Sequence, residues 1–296
     1  MEQKAEESLV NLVDWHHTSI PSTTAYGKVN LNFGLVGQGQ PTGVVIAGVH
    51  GDEGPWGAWA IRKFLEDTKI EELCGSLRIV SGANPLAMEA DERNSPIDHL
   101  DLNRVFPGNR EGSHTEFLAA ELVENVLQGV DVIIDLHGGG SWCVNSFVFS
   151  FSGSEELAEA FNAPFNLSGQ ERPGSLSSFA LKKGVKIVSV EMGGRSEYEE
   201  DWANMIAAGL RRALGIAGVL QPSKPLTSES IRAGDIRVLR PSSGGVLVPN
   251  ITSKEIGTVV DEGFILGYLV DPVTFETVET FKAPFDKTAI LLLRPS

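Results

Sequence analysis

Four apolar runs, each closed by a short polar cluster, constrain this chain more than any other feature. They are GVVIAGVH (43–50), SLRIVSGANP (76–85), VDVIIDLHGGG (130–140) and VKIVSVEMGG (185–194). Runs that stay apolar without alternating belong to strands covered on both faces. The segments between them carry helical spacing. Residues 56–66 are amphipathic, and Pro55 suits the first turn of a helix, where a missing N–H costs nothing. Residues 115–127 have the same period, and 199–214 place Trp202, Met205, Ile206 and Leu210 on one face. Residues 144–151 alternate as a further strand, 155–161 read as a helix, and 29–39 read as an edge strand with a Gly-rich turn. Strands alternating with helices predict an α/β sandwich around a largely parallel or mixed sheet.

The texture changes near residue 220. LQPSKPLTS (220–228) has two prolines and polar neighbours, as a linker does. Beyond it, glycines recur at 234, 244, 245, 257, 263 and 267, and helical spacing disappears. GGVLVPNI, GTVVDEGFILGYLVD and TAILLLRP read as short strands. The expectation is a larger α/β unit over 1–222 and a small all-β unit over 223–296.

Charge narrows the partners. The net charge is −15 and the sequence pI about 4.8, a field that repels nucleic acid and anionic membrane surfaces. No apolar run approaches the ~20 residues of a membrane-spanning helix. The first residues, MEQKAEESLVNL, are polar and acidic, unlike a signal peptide. Two cysteines, Cys74 and Cys143, are too few for a disulfide scaffold and read as buried thiols. A cytoplasmic enzyme or binding protein is expected, with a small-molecule partner, no nucleic acid and no membrane.

The chemistry gathers at the strand ends, where open α/β sheets bind ligands. His50, Asp52 and Glu53 follow the first run, Asn84 the second, His137 the third, and Glu191 closes the fourth. Parallel strands would bring these to one rim. Two histidines and a carboxylate form a three-ligand zinc site with a fourth position open. Asp135, two residues before His137 on a strand, shares its face and can accept from the imidazole. An H-x-x-E pair alone is a weak sign of metal, and a histidine at a strand end is more often structural. A Glu inside KIVSVEMGG is costly to bury unless paired or used. In ERNSPIDHLDLNRVFPG (92–108), Arg93, Asn103 and Arg104 suit carboxylate binding, while an Asp101–Arg104 structural pair is the plainer alternative. His16, His17, His99 and His114 lack strand-end context and receive no role. No G-x-S-x-G, P-loop or complete G-x-G-x-x-G is present.

VHGDE (49–53), LDLNRVFPG (100–108), DLHGG (135–139) and VEMGG (190–194) occur in this order. Together they resemble the succinylglutamate desuccinylase/aspartoacylase family, itself similar to the zinc carboxypeptidases. The resemblance implies a carboxypeptidase-like α/β/α sandwich with a mixed sheet and a barrel-like β tail. No Lys stands at an obvious hairpin tip for biotin or lipoate attachment. It implies one Zn²⁺ per chain on His50, Glu53 and His137. Glu191 matches the general base that activates water and then protonates the leaving amine. Arg93 matches the group that polarises the carbonyl, and Asn103 and Arg104 the pair that holds a substrate carboxylate. Aspartoacylases proper carry a further Arg before the catalytic Glu, whereas this chain reads SFALKKGVKIVSV, with Lys182 and Lys183. That points away from N-acetylaspartate and toward N-acyl amino acids or acylated diamino acids. Arg195 and Tyr198 are expected as exposed loop residues, with a place in the pocket wall as the other reading. A zinc carboxypeptidase acting on short peptides and a non-catalytic binding module are the competing functions. A homodimer is expected from the resemblance alone.

Overall fold

The computed structural model describes residues 7–21, 27–141, 143–195, 198–224 and 230–293. The chain opens with β1 (Asp14–Pro21), β2 (Lys28–Val36) and β3 (Thr42–Ala47), then α1 (Gly54–Asp67). Next come β4 (Ser76–Val80), α2 (Pro85–Ala90) and α3 (His114–Leu122), whose end widens into a π turn over Val123–Leu127. β5 (Val132–His137) and β6 (Val144–Ser150) follow, then α4 (Glu155–Glu159), β7 (Phe165–Ser168), α5 (Leu176–Lys182), β8 (Lys186–Gly193) and α6 (Glu199–Ile216). The rest is β9 (Ile231–Arg232), β10 (Val246–Pro249), β11 (Val259–Asp261), β12 (Ile265–Val270), β13 (Thr277–Lys282), β14 (Lys287–Ala289) and β15 (Leu292–Leu293).

The large sheet runs in the order β1-β2-β4-β3-β5-β8-β6-β7-β9, with β15 paired to β6. Its centre, β4-β3-β5-β8, is parallel; β2 and β6 flank it antiparallel, so the sheet is mixed. The four apolar runs are these central strands. Their residues divide by the two-residue pleat. Val45, Ala47, Ile134, Leu136, Val188 and Val190 pack against α1, α4 and α6. Val44, Ile46, Ile133 and Ile187 pack against α3 and α5. Both faces are covered, which is why the strands show no alternation, and the α/β sandwich expected from the sequence is the one observed. Fully buried Phe64 and Phe161 anchor the first layer, each contributing roughly 1.5–3 kcal/mol through burial.

Some elements differ from expectation. Residues 29–39 hold β2, an interior strand; the edge is β1, whose sequence DWHHTSIP is mostly exposed and carries no buried-strand signal. β7, α2 and α5 are four to seven residues long, too brief for periodicity to register. Cys74 is exposed and Cys143 half-buried, so the expectation of two buried thiols fails.

Residues 246–289 form a three-stranded antiparallel sheet, β10-β12-β13, and a two-stranded one, β11-β14. Among the described residues no pairing joins them: this part consists of two small open sheets, without the closure of the barrel-like tail expected from the resemblance. The strands run from three to six residues, and β10 leaves Val246, Leu247 and Val248 exposed along one edge. β9 and β15, from beyond residue 230, join the large sheet. Residues 225–228 of the linker, and Arg294 and Pro295 of the final expected strand, lie outside the described residues. No helix among the described residues is long and apolar enough to cross a membrane.

Candidate metal centre

β3 ends at Ala47, and the chain passes through Gly48, at φ +71°, into a 3-10 turn over Gly51–Glu53. Gly51 is pressed against α2: a Cβ there would lie 2.0 Å from the Ala87 carbonyl carbon. Asp52 N–H donates to the Glu92 carbonyl at 3.1 Å and pins the turn. The turn aims His50 and Glu53 at each other, with Nδ1 to Oε1 2.9 Å. His137, the last residue of β5, completes the group, its Nδ1 2.7 Å from Glu53 Oε2. One nitrogen of each histidine and one Glu53 oxygen lie within 4.8 Å of one another, and all three residues are buried.

The outer nitrogens are also engaged. His50 Nε2 lies 3.1 Å from Asp101 Oδ1, and His137 Nε2 lies 3.0 Å from Asp135 Oδ2. Both nitrogens of each ring thus face carboxylates, which accept only; a neutral ring with its one hydrogen on Nε2 turns the Nδ1 lone pair to Glu53. In that form acceptors converge in a buried space, an arrangement that favours a cation or an extra proton. Two imidazoles and a carboxylate are the donor set zinc takes at catalytic sites, and the residues fit the ion.

The electrostatics say the same. Burial alone would lower the pKa of His137, but Asp135 and Glu53 outweigh it and push it well above 6.5. Burial likewise opposes charge on His50, and Glu53 with Asp101 raises it nonetheless. Burial would raise Glu53, yet the two histidines hold it well below the usual carboxylate range.

Glu191 sits on β8 directly opposite His137, the two being Cα partners across the parallel β5–β8 pair. Burial pushes its carboxyl up to about 7; Glu53 adds to this, and His137 and His50 oppose it. Its Oε2 accepts from Asn145 Nδ2 at 2.9 Å.

Arg93 reaches the centre from the loop after α2. Its Nη1 donates to His50 Nδ1 at 3.2 Å and Glu53 Oε1 at 3.3 Å, and its Nη2 to Asp101 Oδ2 at 3.1 Å. Asn103 turns its side-chain oxygen to Leu176 N–H at 2.8 Å, which fixes the start of α5 against the LDLNR loop. Arg104 is half-exposed, donates to the Asn103 carbonyl at 2.6 Å and lies 3.9 Å from Asp101. The plainer Asp101–Arg104 pairing is thus the longest of the Asp101 contacts, and His50 and Arg93 are its closer partners. Asn84 stands apart: it is fully buried and caps α2 through the Ala87 N–H. Asp52 is not among the three converging groups; it packs against Gly140, where a Cβ would meet its Oδ2 at 2.2 Å. Arg195 pairs with Asp91 at 3.2 Å, and Asp91 also accepts from Ser141.

Sequence reasoning missed Asp101 and Asn145. Asp101 lies inside the LDLNR motif, but its acceptor role depends on a residue 51 positions away. Asn145 looks like an ordinary polar position in an alternating strand.

A protein of Halomonas elongata named N-alpha-acetyl-L-2,4-diaminobutyric acid deacetylase is 33% identical over 186 residues, 58% of this chain and 53% of that one. The match thus spans about half of that relative's length. Among solved structures, the product-bound ectoine utilization protein EutE (DoeB) of Ruegeria pomeroyi is 26% identical, with a TM-score of 0.79 over 95% of this chain and 92% of that one. A succinylglutamate desuccinylase of a Silicibacter species shares the fold, with a TM-score of 0.82 at 24% identity over 99% and 94% of the two chains. Residues 39–217 match the family described as the succinylglutamate desuccinylase/aspartoacylase catalytic domain. That stretch is more than half the chain and contains every residue assembled at the rim, from His50 to Glu191, so the chain belongs to the succinylglutamate desuccinylase/aspartoacylase family.

Proposed function

We propose that this chain is a zinc-dependent amide hydrolase that deacylates an N-acyl amino acid, with acylated diamino acids as the favoured class. One observation carries the proposal: the convergence of His50, Glu53 and His137, with Glu191 in register beside them. The Halomonas relative's name, for a deacetylase of an acetylated diamino acid, supports the substrate class.

When bound, zinc supplies Lewis acidity at the amide carbonyl and lowers the pKa of a coordinated water toward ~7. The protein's own groups do the rest. Glu191, with Oε2 occupied by Asn145, offers Oε1 to the attacking water and takes its proton. The water oxygen bonds to the acyl carbon, the C–N bond breaks, and the proton held by Glu191 passes to the leaving nitrogen. Arg93, beside Glu53, is assigned to donate to the carbonyl oxygen as negative charge develops there. Arg104, half-exposed, and the amide of Asn103 are assigned to the substrate carboxylate, for which a guanidinium fork gives direction as well as charge. The same reading divides the chain at about residue 222, since all these groups precede it.

The test is primary-amine release from a panel of N-acyl amino acids and singly acylated diamino acids, with and without a strong chelator. Release that the chelator abolishes and zinc restores is expected. Chelator-insensitive release, or none from any member by protein carrying one zinc per chain, would overturn the reading.

A further inference from the structure

One contact leads from the C-terminal part of the chain into the site. β15 lies against β6 where that strand begins, with Leu292 opposite Asn145 and Leu293 opposite Val144. β8 occupies the other edge of β6, pairing Asn145 with Gly193 and Phe147 with Glu191. Asn145 and Phe147 share a face, so Asn145 is the diagonal neighbour of Glu191, within reach of a side-chain contact. That contact is made at 2.9 Å. A carboxylate oxygen accepts, so the amide presents its NH₂ to Glu191. Its carbonyl oxygen, Oδ1, is buried without a hydrogen-bond partner among the described residues. Asn145 is 4% exposed. Leaving an amide oxygen unmet costs stability, and β6 carries it on the side chain that donates to Glu191.

The clamp on Asn145 comes from the far end of the chain. β7 covers β6 from Phe147 to Ser150 and leaves Val144 and Asn145 open on that edge. β15 fills the gap, and Ser146 N–H donates to the Leu291 carbonyl at 3.2 Å. Val144 packs in a cluster with Ile251, Ile256 and Ile290, and with the partly buried Leu293. The start of β6 is therefore gripped by residues from 251 to 293 on one side and by the strand bearing Glu191 on the other.

We propose that Asn145 is a positioning residue that holds the Glu191 carboxylate with Oε1 free toward the substrate, and that β15 fixes Asn145 in place, so that the C-terminal part of the chain aligns the base. This rests on the reading of Glu191 as the base, and its test includes a readout that needs no turnover.

The first measurement uses full-length, chelator-treated protein. The side-chain NH₂ signals of Asn145, assigned by their loss in Asn145→Ala, should be shifted by the carboxylate. Glu191→Ala should move one of the two protons toward the position of a free amide. Leu293→Pro removes a ladder donor, because alternation from the Ser146–Leu291 bond makes Leu293–Val144 the next bonded pair. It should broaden or shift the same signals while the rest of the spectrum is kept. The second measurement is kinetic. Asn145→Ala should keep KM and zinc content and lose kcat by about 10- to 100-fold, as a misaligned group does. NH₂ signals that ignore Glu191→Ala would overturn the contact, whether or not the chain turns over any amide. If Leu293→Pro leaves the NH₂ signals and kcat as in the parent protein, the clamp is disproved. If Asn145→Ala keeps kcat within twofold at full zinc content, the positioning role is disproved. A wild-type chain inactive on every amide, with the NH₂ shift intact, would instead sink the hydrolase reading.

Discussion

Glu191 and His137 face each other across adjacent parallel strands, residue for residue, at the ends of β8 and β5. The carboxylate read as the base and the imidazole read as a metal ligand are thus held by one rung of sheet rather than by a loop. The spacing between them is set by the interstrand distance, which side-chain motion alters little. This arrangement separates two kinds of damage: a change at Glu191 leaves the metal ligands alone, and a change at His137 does not.

Glu191→Gln should therefore retain one zinc per chain and an unchanged melting profile while kcat falls by roughly 10²–10⁴-fold, the range of a lost general acid–base group. Metal content by atomic spectroscopy and steady-state kinetics on the best amide decide the matter. A kcat close to that of the parent protein would remove Glu191 from the chemistry.

Asp135 never touches the ion site itself; its Oδ2 lies 3.0 Å from His137 Nε2. Asp135→Asn keeps the volume but takes away the anionic acceptor that fixes the ring hydrogen on Nε2. Zinc affinity should drop by about 10–100-fold, as it does when such outer partners are removed. Competition against a chromogenic chelator measures this. Unaltered affinity would mean that the His137 ring is oriented by packing alone.

Much of this was legible in the sequence, and the reason is burial. Strands covered on both faces must be apolar throughout, so β3, β4, β5 and β8 announce themselves, and a polar residue at their ends stands out. That contrast exposes His50, Glu53, His137 and Glu191. β1 is invisible for the opposite reason: it is an edge strand with Trp15, His16 and His17 exposed, and water sets no pattern on it. Asp101 and Asn145 work through partners far along the chain or across a strand pair, and nothing in their neighbours' spacing marks them. The tail is the least legible part. Its Gly-punctuated short strands resemble a barrel's, but closure depends on edges meeting in space, and local sequence does not encode that.

Gly51 tests whether the turn, as well as its side chains, builds the site. An added Cβ would meet the Ala87 carbonyl carbon at 2.0 Å and its oxygen at 2.2 Å, both backbone atoms. Gly51→Ala should destabilise the protein by about 1–3 kcal/mol, as forced overpacking does. It should also weaken zinc binding, because the turn that aims His50 and Glu53 must shift to relieve the contact. A variant that binds zinc and melts as the parent does would show that the Gly51–Ala87 approach is slack.

The last prediction concerns pH and metal together. In metal-free protein the pKa values of His50 and His137 are raised above 6.5, and burial with Glu53 raises that of Glu191 to about 7. A group whose folded-state pKa is raised binds its proton more tightly when folded. Its stabilising contribution is therefore complete below the unfolded pKa and is lost as pH rises through the folded one. All three groups act in this direction, so chelator-treated protein should lose stability as pH climbs from about 6 to about 8. Zinc takes the place of the protons on the imidazole lone pairs and binds better as those protons leave. The melting-temperature gap between zinc-loaded and chelated protein should consequently widen over the same interval. Thermal melts of both forms across that range are the check. A gap that stays constant or narrows as pH rises would mean that protons and metal do not compete for His50 and His137.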